Sequence, residues 1–404
     1  MNILILGNQR PAHKVLYDLG HQVSLFISKD KSFPSDLKGI YCNTFTFDTN
    51  TDPQVYIDAA VALHRANPID RVVAFNDVWQ QLAYDIACEL DVPSNVNIDA
   101  LASSFNKNLM RSILEIQNIG GIKYAVSHDL DGVANSIRKV GLPCVVKPVS
   151  GEGSQGVLKI ESEDEVKRYI SSMTVGDSVL IESFIDGDEY SVESISEGGK
   201  HYIVAITKKF KGVGSVVEQG HAVPADIPPS LKLEISKYVQ SVLTALSFQS
   251  GPSHTEIIYS DRSPVVVETH TRLGGDRIVN LVKLATGVDM YDLVARQSIG
   301  ELVASDIPED IPCLNHAAVW FLLEGIDNSL VVDSIRGLQE QLDIDYVDTI
   351  HLFKTPGDRG GPVEDSFSRS ALAIVVGDSQ NQAVSRAQDV INKLTFTYRY
   401  QLEG

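Results

Sequence analysis

The run Ser253-His254-Thr255-Glu256-Ile257-Ile258-Tyr259-Ser260-Asp261-Arg262-Ser263-Pro264-Val265-Val266-Val267-Glu268-Thr269-His270-Thr271-Arg272 constrains the fold more than any other part of the chain. Two β-prone stretches flank a polar turn at 260–264, which reads as an antiparallel hairpin with its midpoint near Arg262. Taken symmetrically about Arg262, the register sets Glu256 against Glu268, His254 against His270 and Pro252 against Arg272. Side chains alternate between the two faces of a strand, so Glu256, Glu268, His270 and Arg272 then share one face. Opposed carboxylates repel unless something neutralises them, and a hard divalent cation such as Mg²⁺ does so while also taking substrate phosphates. A slipped register, with one glutamate in solvent, is the other arrangement.

Upstream, Pro143-Cys144-Val145-Val146-Lys147-Pro148-Val149 reads as a strand that delivers Lys147 beside a loop containing Gly151, Gly153 and Gly156. Glycines let backbone N–H groups approach a polyphosphate while the ammonium supplies charge. The lysine precedes the glycines, so this is not a Walker A loop; a plain hairpin turn beside a surface lysine is the structural alternative. A second apolar strand, 179–185, runs into the acidic stretch Asp186-Gly187-Asp188-Glu189, where exposed backbone can read an adenine edge and a carboxylate can hold ribose hydroxyls, or where a solvated turn can simply sit.

Around these segments the first hundred residues alternate strands at 2–7, 21–28 and 71–76 with helices at 11–20, 53–66 and 77–91, the pattern of βαβ units in an open parallel sheet. The turn Leu6-Gly7-Asn8-Gln9-Arg10 lacks the G-x-G-x-x-G spacing and reads as a structural βα turn. One helical segment covers 98–117; hairpins then replace βα alternation between 143 and 272, and helices read at 163–173 and 230–246. From about residue 312 an α/β lobe follows, with strands at 316–323 and 370–376 and a helix at 380–394. Gly357-Asp358-Arg359-Gly360-Gly361-Pro362 looks phosphate-like, but such Gly/Asp/Pro clusters between periodic segments read as turns.

Composition limits the function classes. The 404 residues hold 34 Lys and Arg against 53 Asp and Glu, a net charge of −19, so a polyanion such as nucleic acid is repelled on average. No apolar run approaches the ~20 residues that span a bilayer. The opening Met1-Asn2-Ile3-Leu4-Ile5-Leu6-Gly7 has no basic n-region or cleavage site, which predicts a cytoplasmic protein. Cys42, Cys88, Cys144 and Cys313 are scattered, without a C-x-x-C pair, and read as reduced thiols.

Taken in order, these features resemble the ATP-grasp superfamily, specifically its carboxylate–amine ligases, and the stretch Glu268-Thr269-His270-Thr271-Arg272-Leu273-Gly274-Gly275-Asp276 is most similar to the dipeptide-forming L-amino-acid ligases. The resemblance implies an α/β ATP-grasp fold of three parts: an N-terminal open parallel α/β domain at 1–103, a central ATP-binding lobe with the glycine-rich loop at 104–184, and a C-terminal lobe at 185–404 carrying the metal hairpin, with a terminal α/β subdomain from about 312. It implies ATP and two Mg²⁺ ions, with Mn²⁺ as a substitute, amino acids as small-molecule substrates, no nucleic-acid or membrane partner, and a homodimer. Lys107, in Phe105-Asn106-Lys107-Asn108-Leu109-Met110-Arg111, and Lys147 match the lysines directed at the α- and β-phosphates. Gly153, Ser154 and Gly156 lie in the loop that closes over the β- and γ-phosphates. Glu182, Phe184 and Ile185 match the adenine-reading linker, and Glu189 the ribose-binding acid. Glu256 and Glu268 match the magnesium ligands, and Arg272 the arginine that stabilises the acyl phosphate and the tetrahedral intermediate. His221 stands where related ligases carry a histidine near the reacting phosphate; a structural hairpin histidine is the alternative. His270 occupies a position where the superfamily typically has asparagine, and neutral imidazole is a poor Mg²⁺ ligand. Gly274, Gly275 and Asp276 fall beside the substrate; the Asp276 carboxylate either holds an ammonium group or caps the helix that begins near Arg277. Alternatives are a ligase of purine or carboxylase type, using formate or bicarbonate, and an ATP-binding regulatory protein without turnover.

Overall fold

The computed structural model describes residues 1–29, 39–128, 130–149, 156–172, 178–212, 217–261, 263–363 and 365–400. The N-terminal alternation forms β1 (Asn2–Leu6), α1 (Arg10–Asp18), β2 (Gln22–Ser28), β3 (Tyr41–Phe47), α2 (Pro53–Ala66), β4 (Arg71–Ala74) and α3 (Asp77–Leu90). All three strand pairings are parallel, in the order β3-β2-β1-β4. Apolar side chains cover both faces, as a parallel sheet requires: Leu4, Leu6 and Phe26 pack against α2 and α3, whereas Ile3, Ile5 and Leu25 face a core shared with later helices. Strand β3 escapes the sequence reading because it alternates intermediate and exposed residues at the sheet edge and carries no apolar run.

The helix expected at 98–117 is two helices, α4 (Ile98–Phe105) and α5 (Lys107–Ile116), divided at Asn106. The Asn106 side chain accepts a hydrogen bond from Leu109 N at 3.0 Å and starts the second helix, a position that asparagine favours. Lys107 therefore stands in the first turn of α5, and Arg111 one turn on along the same face.

A second, antiparallel sheet, β5-β8-β6-β7, contains β5 (Tyr124–Ser127), β6 (Cys144–Pro148), β7 (Leu158–Ile160) and β8 (Val179–Ser183), backed by α6 (Leu130–Val140) and α7 (Glu163–Ser172). The largest sheet has eight strands in the order β13-β12-β9-β10-β11-β14-β17-β16. Its strands are β9 (Asp188–Glu197), β10 (Lys200–Lys211), β11 (Glu218–Val223), β12 (Gly251–Ser260), β13 (Ser263–His270), β14 (His316–Leu322), β16 (Val347–Leu352) and β17 (Ala371–Gly377). The β9–β10 turn places Gly198 at φ 57° and Gly199 at φ 75°, the paired positive angles that tight hairpins demand. Helix α8 (Pro229–Ala245) packs on the β9, β10, β12 and β13 region, α9 (Ile278–Thr286) and α10 (Met290–Ser298) join the core shared with β1 and β2, and α12 (Gln380–Asn392) covers β14 and β17. A separate pair, β15 (Leu330–Arg336) and β18 (Thr395–Tyr400), and the short α11 (Leu338–Leu342) complete the chain. The strands expected at 316–323 and 370–376 thus extend the sheet that carries the glutamate hairpin. Among the described residues no helix is long and apolar enough to cross a membrane.

Where α1 meets the shared core, His13 is fully buried between Tyr41 and Phe75, with Nδ1 2.8 Å from the Tyr41 hydroxyl and Nε2 without a hydrogen-bond partner. Burial, reinforced by Arg10, pulls its pKa down to about 3. The unfolded chain takes up this proton near pH 6.5 and the native one does not, so stability is intact above that pH and is lost as pH falls toward 3. We expect thermal unfolding measured from pH 7.5 to 4.5 to show a steeper fall in the native sequence than in His13→Leu, by up to about 1.4 kcal/mol per pH unit at this site. Parallel curves for the two proteins would contradict the assignment.

Candidate active site

The hairpin pairs Glu256 with Glu268, Thr255 with Thr269 and His254 with His270, as symmetry about Arg262 requires, but it reaches that register by another route. Ser260 pairs with Ser263, and Asp261, next to Ser260, is at φ 47°. A bulge between Glu256 and Ile257 then shifts the ladder, and Val267 is the extra residue that brings Glu268 back opposite Glu256. Pro252 does not face Arg272: β13 ends at His270, and Pro252 pairs with Ile195 on β9.

Arg111 secures the bulge. Its Nη1 and Nη2 donate to the carbonyls of Val266 and Val267 at 2.7 and 2.9 Å, and its Nε donates to the buried Glu182 carboxylate. The other oxygen of Glu182 takes Lys147 Nζ at 2.6 Å. Burial opposes its ionisation, yet Arg111 and Lys147 hold Glu182 below the usual carboxylate range. Burial pulls Lys147 below the ordinary lysine range, with Glu182 drawing it back. The Glu182 backbone pairs with β5 on one side and β6 on the other. Its side chain and backbone are therefore both engaged, so Glu182 positions Lys147, and the strand ends just beyond it at Ser183. There Phe184 N donates to Pro143 O at 3.0 Å, Lys159 lies 4.0 Å over the Phe184 ring, and Ile185 follows. Further on, Glu189 pairs with Lys211 at 2.6 Å. Gly153 and Ser154 lie outside the described residues; Gly156 is at φ 69° with Pro148 beside it.

Each hairpin glutamate meets a lysine and an imidazole. Glu268 is 3.3 Å from Lys107 Nζ and 3.3 Å from His270 Nε2, and Glu256 is 2.7 Å from Lys209 Nζ and 3.3 Å from His254 Nε2. These partners outweigh burial and hold both carboxyls well below their usual range. The repulsion that the sequence reading assigned to a cation is thus already met by four protein side chains. Behind them, His254 Nδ1 is 2.7 Å from the buried Glu193, and His270 Nδ1 is 2.9 Å from Asp77 at the start of α3. Against the lowering effect of burial, Glu193 and Glu256 push His254 up to about 9, and Asp77 and Glu268 raise His270. Both nitrogens of His270 meet carboxylates. Among the described residues no group of three or more His, Cys, Asp or Glu side chains converges to hold a metal. Two ionised carboxylates face to face do suit Mg²⁺ when phosphate oxygens and water complete its shell.

Arg272 Nε also rests on Asp77, at 3.0 Å, so one carboxylate of the N-terminal sheet region steers both His270 and Arg272. Gly274 is required: a Cβ there would lie 2.8 Å from Glu193 Oε2 and 3.0 Å from His254 Nδ1, whereas one at Gly275 would meet open space. Asp276 caps no helix, since α9 begins after Arg277 and has no side-chain cap. Instead Asp276 accepts from Arg369 Nη1 at 2.7 Å and lies 3.2 Å from His221 Nε2. His221 and Arg369 together outweigh burial and hold the Asp276 carboxyl below its usual range. Arg369 is buried 3.6 Å over the Phe321 ring and also donates to Glu218 O at 3.1 Å. A cavity of about 350 Å³ joins Lys209, His221, Glu256, Glu268, Arg272, Asp276 and Arg369.

Sequence reasoning missed Asp77, Lys209, Glu193 and Arg369 as parts of this site. Arg111 carried a signal, its i,i+4 spacing from Lys107 on an amphipathic helix. Arg369, in Ser368-Arg369-Ser370, carried none. For Arg111 we expect Arg111→Met to destabilise the protein by about 3–5 kcal/mol in urea unfolding, because it leaves Glu182 and two carbonyls buried with fewer partners. Arg111→Lys should recover only part of this, since an ammonium cannot span three acceptors; a loss under about 1 kcal/mol for the methionine variant would refute the role.

Against known proteins, residues 140–280 match the ATP-grasp domain, residues 17–94 the ATP-grasp N-terminal domain and residues 331–399 the L-amino acid ligase C-terminal domain 2. The structure superposes on the L-amino acid ligase from Bacillus licheniformis with a TM-score of 0.86 at 23% identity, covering 98% of each chain. It superposes on the phosphoribosylglycinamide synthetase from Anaerococcus prevotii with a TM-score of 0.73 at 16% identity, covering 98% of this chain and 99% of the other. An uncharacterized protein of Sinorhizobium fredii is 25% identical over 74% of this chain and 62% of its own length. The D-alanine–D-alanine ligase of Flavobacterium johnsoniae is 30% identical over 48% of this chain and 63% of its own length. The chain thus spans under two thirds of the length of either of these relatives. The three domain matches fall in chain order, the ATP-grasp domain match spans Lys147, Glu256, Glu268 and Arg272, and the chain belongs to the ATP-grasp superfamily.

Proposed function

We propose that the chain is an ATP-dependent ligase that joins the carboxylate of one L-amino acid to the amino group of another, releasing ADP and phosphate. The observation that carries this reading is the meeting, in one cavity, of the opposed Glu256 and Glu268 with Arg272 and the His221–Asp276–Arg369 cluster. A carboxylate pair suited to metal-bound phosphate stands beside cations suited to an acyl phosphate. The C-terminal domain match and the likeness to the Bacillus licheniformis ligase support amino acids as substrates.

A carboxylate is a poor acylating agent until its oxygen becomes a leaving group. In the proposed reaction a carboxylate oxygen of the first amino acid attacks the γ-phosphorus, the bond to the β,γ-bridging oxygen breaks, and ADP leaves with that electron pair. The amine of the second amino acid then attacks the carbonyl carbon of the acyl phosphate. The tetrahedral intermediate collapses by expelling phosphate, and the nitrogen loses a proton. Lys107 and Lys147 would bind the α- and β-phosphates, the loop with Gly153, Ser154 and Gly156 would cover the β- and γ-phosphates, Glu182, Phe184 and Ile185 would meet the adenine, and Glu189 the ribose. Glu256 and Glu268 would hold Mg²⁺, or Mn²⁺ in its place, which supplies neutralisation of phosphate charge. Arg272, steered by Asp77, would stabilise the negative oxygens of the acyl phosphate and the tetrahedral intermediate, and His221, held by Asp276, would hydrogen-bond the phosphate.

Twenty L-amino acids supplied pairwise with ATP and Mg²⁺ test the reading. Phosphate release should require a carboxylate substrate and stop with EDTA, and Glu268→Gln or Arg272→Met should lower kcat by about a hundredfold or more. Phosphate release without any amino acid, or only with formate or bicarbonate, would refute it.

A further inference from the structure

Among the described residues, every charged side chain in the cavity wall is paired within the protein: Lys209 with Glu218 and Glu256, Glu268 with Lys107 and His270, Arg272 with Asp77, and Asp276 with Arg369 and His221. The same wall contains two phenylalanines that are not covered, Phe353 at 45% and Phe367 at 72% exposure. Exposed rings of this size at the rim of a polar site point to something that covers them.

Phe367 is held outward by a built turn. Residues Ser366–Ser368 form one turn of 3₁₀ helix in which the Asp365 carboxylate accepts from Phe367 N at 2.9 Å and from Ser368 Oγ at 3.1 Å. On either side the chain is tied inward, through Ser366 Oγ at 3.5 Å from Glu218 and through Arg369 on Asp276. The ring between these anchors stays exposed although both neighbours are fixed to the site. Phe353 stands at the end of β16, edge-on to His351 at 5.0 Å, and its N–H bonds to Ser370 O at 2.9 Å, which stitches its segment to the one that carries Phe367.

We infer that Phe353 and Phe367 receive the side chain of one of the two amino-acid substrates, and that this side chain is large and apolar, aromatic or branched aliphatic. The inference rests on the ligase reading and adds the substrate class to it. Among the described residues the charged side chains of the wall already have partners, so a charged occupant would have to displace one of them, whereas an apolar one removes its own surface and that of two rings from water. The rings continue the cavity that holds Glu256, Glu268 and Arg272, so the occupant is a substrate group and not a separate ligand.

The test measures kcat/KM for the full chain with ATP and Mg²⁺ across amino-acid pairs containing Phe, Leu or Met against Ala, Ser, Asp or Lys at each position. The native sequence should favour Phe or Leu over Ala at one position, and Phe367→Ser and Phe353→Ser should each reduce that ratio by about tenfold or more, mainly through KM. Phe367→Leu should restore part of it, which a merely structural turn would not predict. Both positions are solvent-exposed, and matching thermal unfolding curves would show that the variants fold. If dipeptide forms and the ratio is unchanged in both serine variants, the inference is overturned while the ligase reading stands. The same holds if the variants only change the oligomeric state in size-exclusion chromatography, because the rings would then cover a second copy. If no amino-acid pair yields product, both fall together.

Discussion

The Arg111 guanidinium is the point on which the site's geometry rests. It leaves one helix, enters the gap between two sheets, and there satisfies a glutamate of one sheet and two bulge carbonyls of the other. Buried ion pairs commonly offset their own desolvation and add little net stability, but removing one member leaves a charge stranded. Its contribution is therefore one of register. The bulge at Val267 is what returns Glu268 to its place opposite Glu256, and the Glu182 carboxylate is what holds Lys147. A single side chain fixes both the carboxylate pair and the lysine of the neighbouring sheet.

The net charge of −19 has a local counterpart. Around the hairpin, acids and bases alternate: Glu193, His254, Glu256, Lys209 and Glu218 on one side, Lys107, Glu268, His270, Asp77 and Arg272 on the other. Imidazoles between two carboxylates are drawn toward the charged form, and the carboxylates in turn are kept ionised. The result is a wall of fixed dipoles and charges arranged before any substrate arrives, the condition under which electrostatics lowers barriers most.

Much of this was legible in the sequence where local patterns decide structure. Alternation in 253–272 yields the facing glutamates, and the βα rhythm of the first hundred residues yields the parallel sheet, because burial on one or both faces writes itself into period and composition. The bulge was not legible: the register it restores is the one that simple symmetry suggests, so two different turns lead to the same pairing of Glu256. The helix at 98–117 was read as one piece because its apolar period continues across Asn106, and only the cap shows the break. Asp77 reads as an ordinary first-turn acid, and Arg369 as one surface cation among many. Each acquires its role from a residue more than ninety positions away, at Arg272 and Asp276 respectively, and no local signal encodes such a distance.

Asp77 has a mechanical meaning. It belongs to the helix that follows β4 of the N-terminal sheet, yet it bonds to His270 and Arg272 at the end of the hairpin. Thr271, between them, bonds to Gln80 on the next turn of the same helix. The helix thus grips three consecutive residues of the other lobe. Any hinge rotation of the N-terminal sheet must either carry the arginine with it or pull the carboxylate off it, so the orientation of that lobe and the direction of the arginine's charge are a single variable.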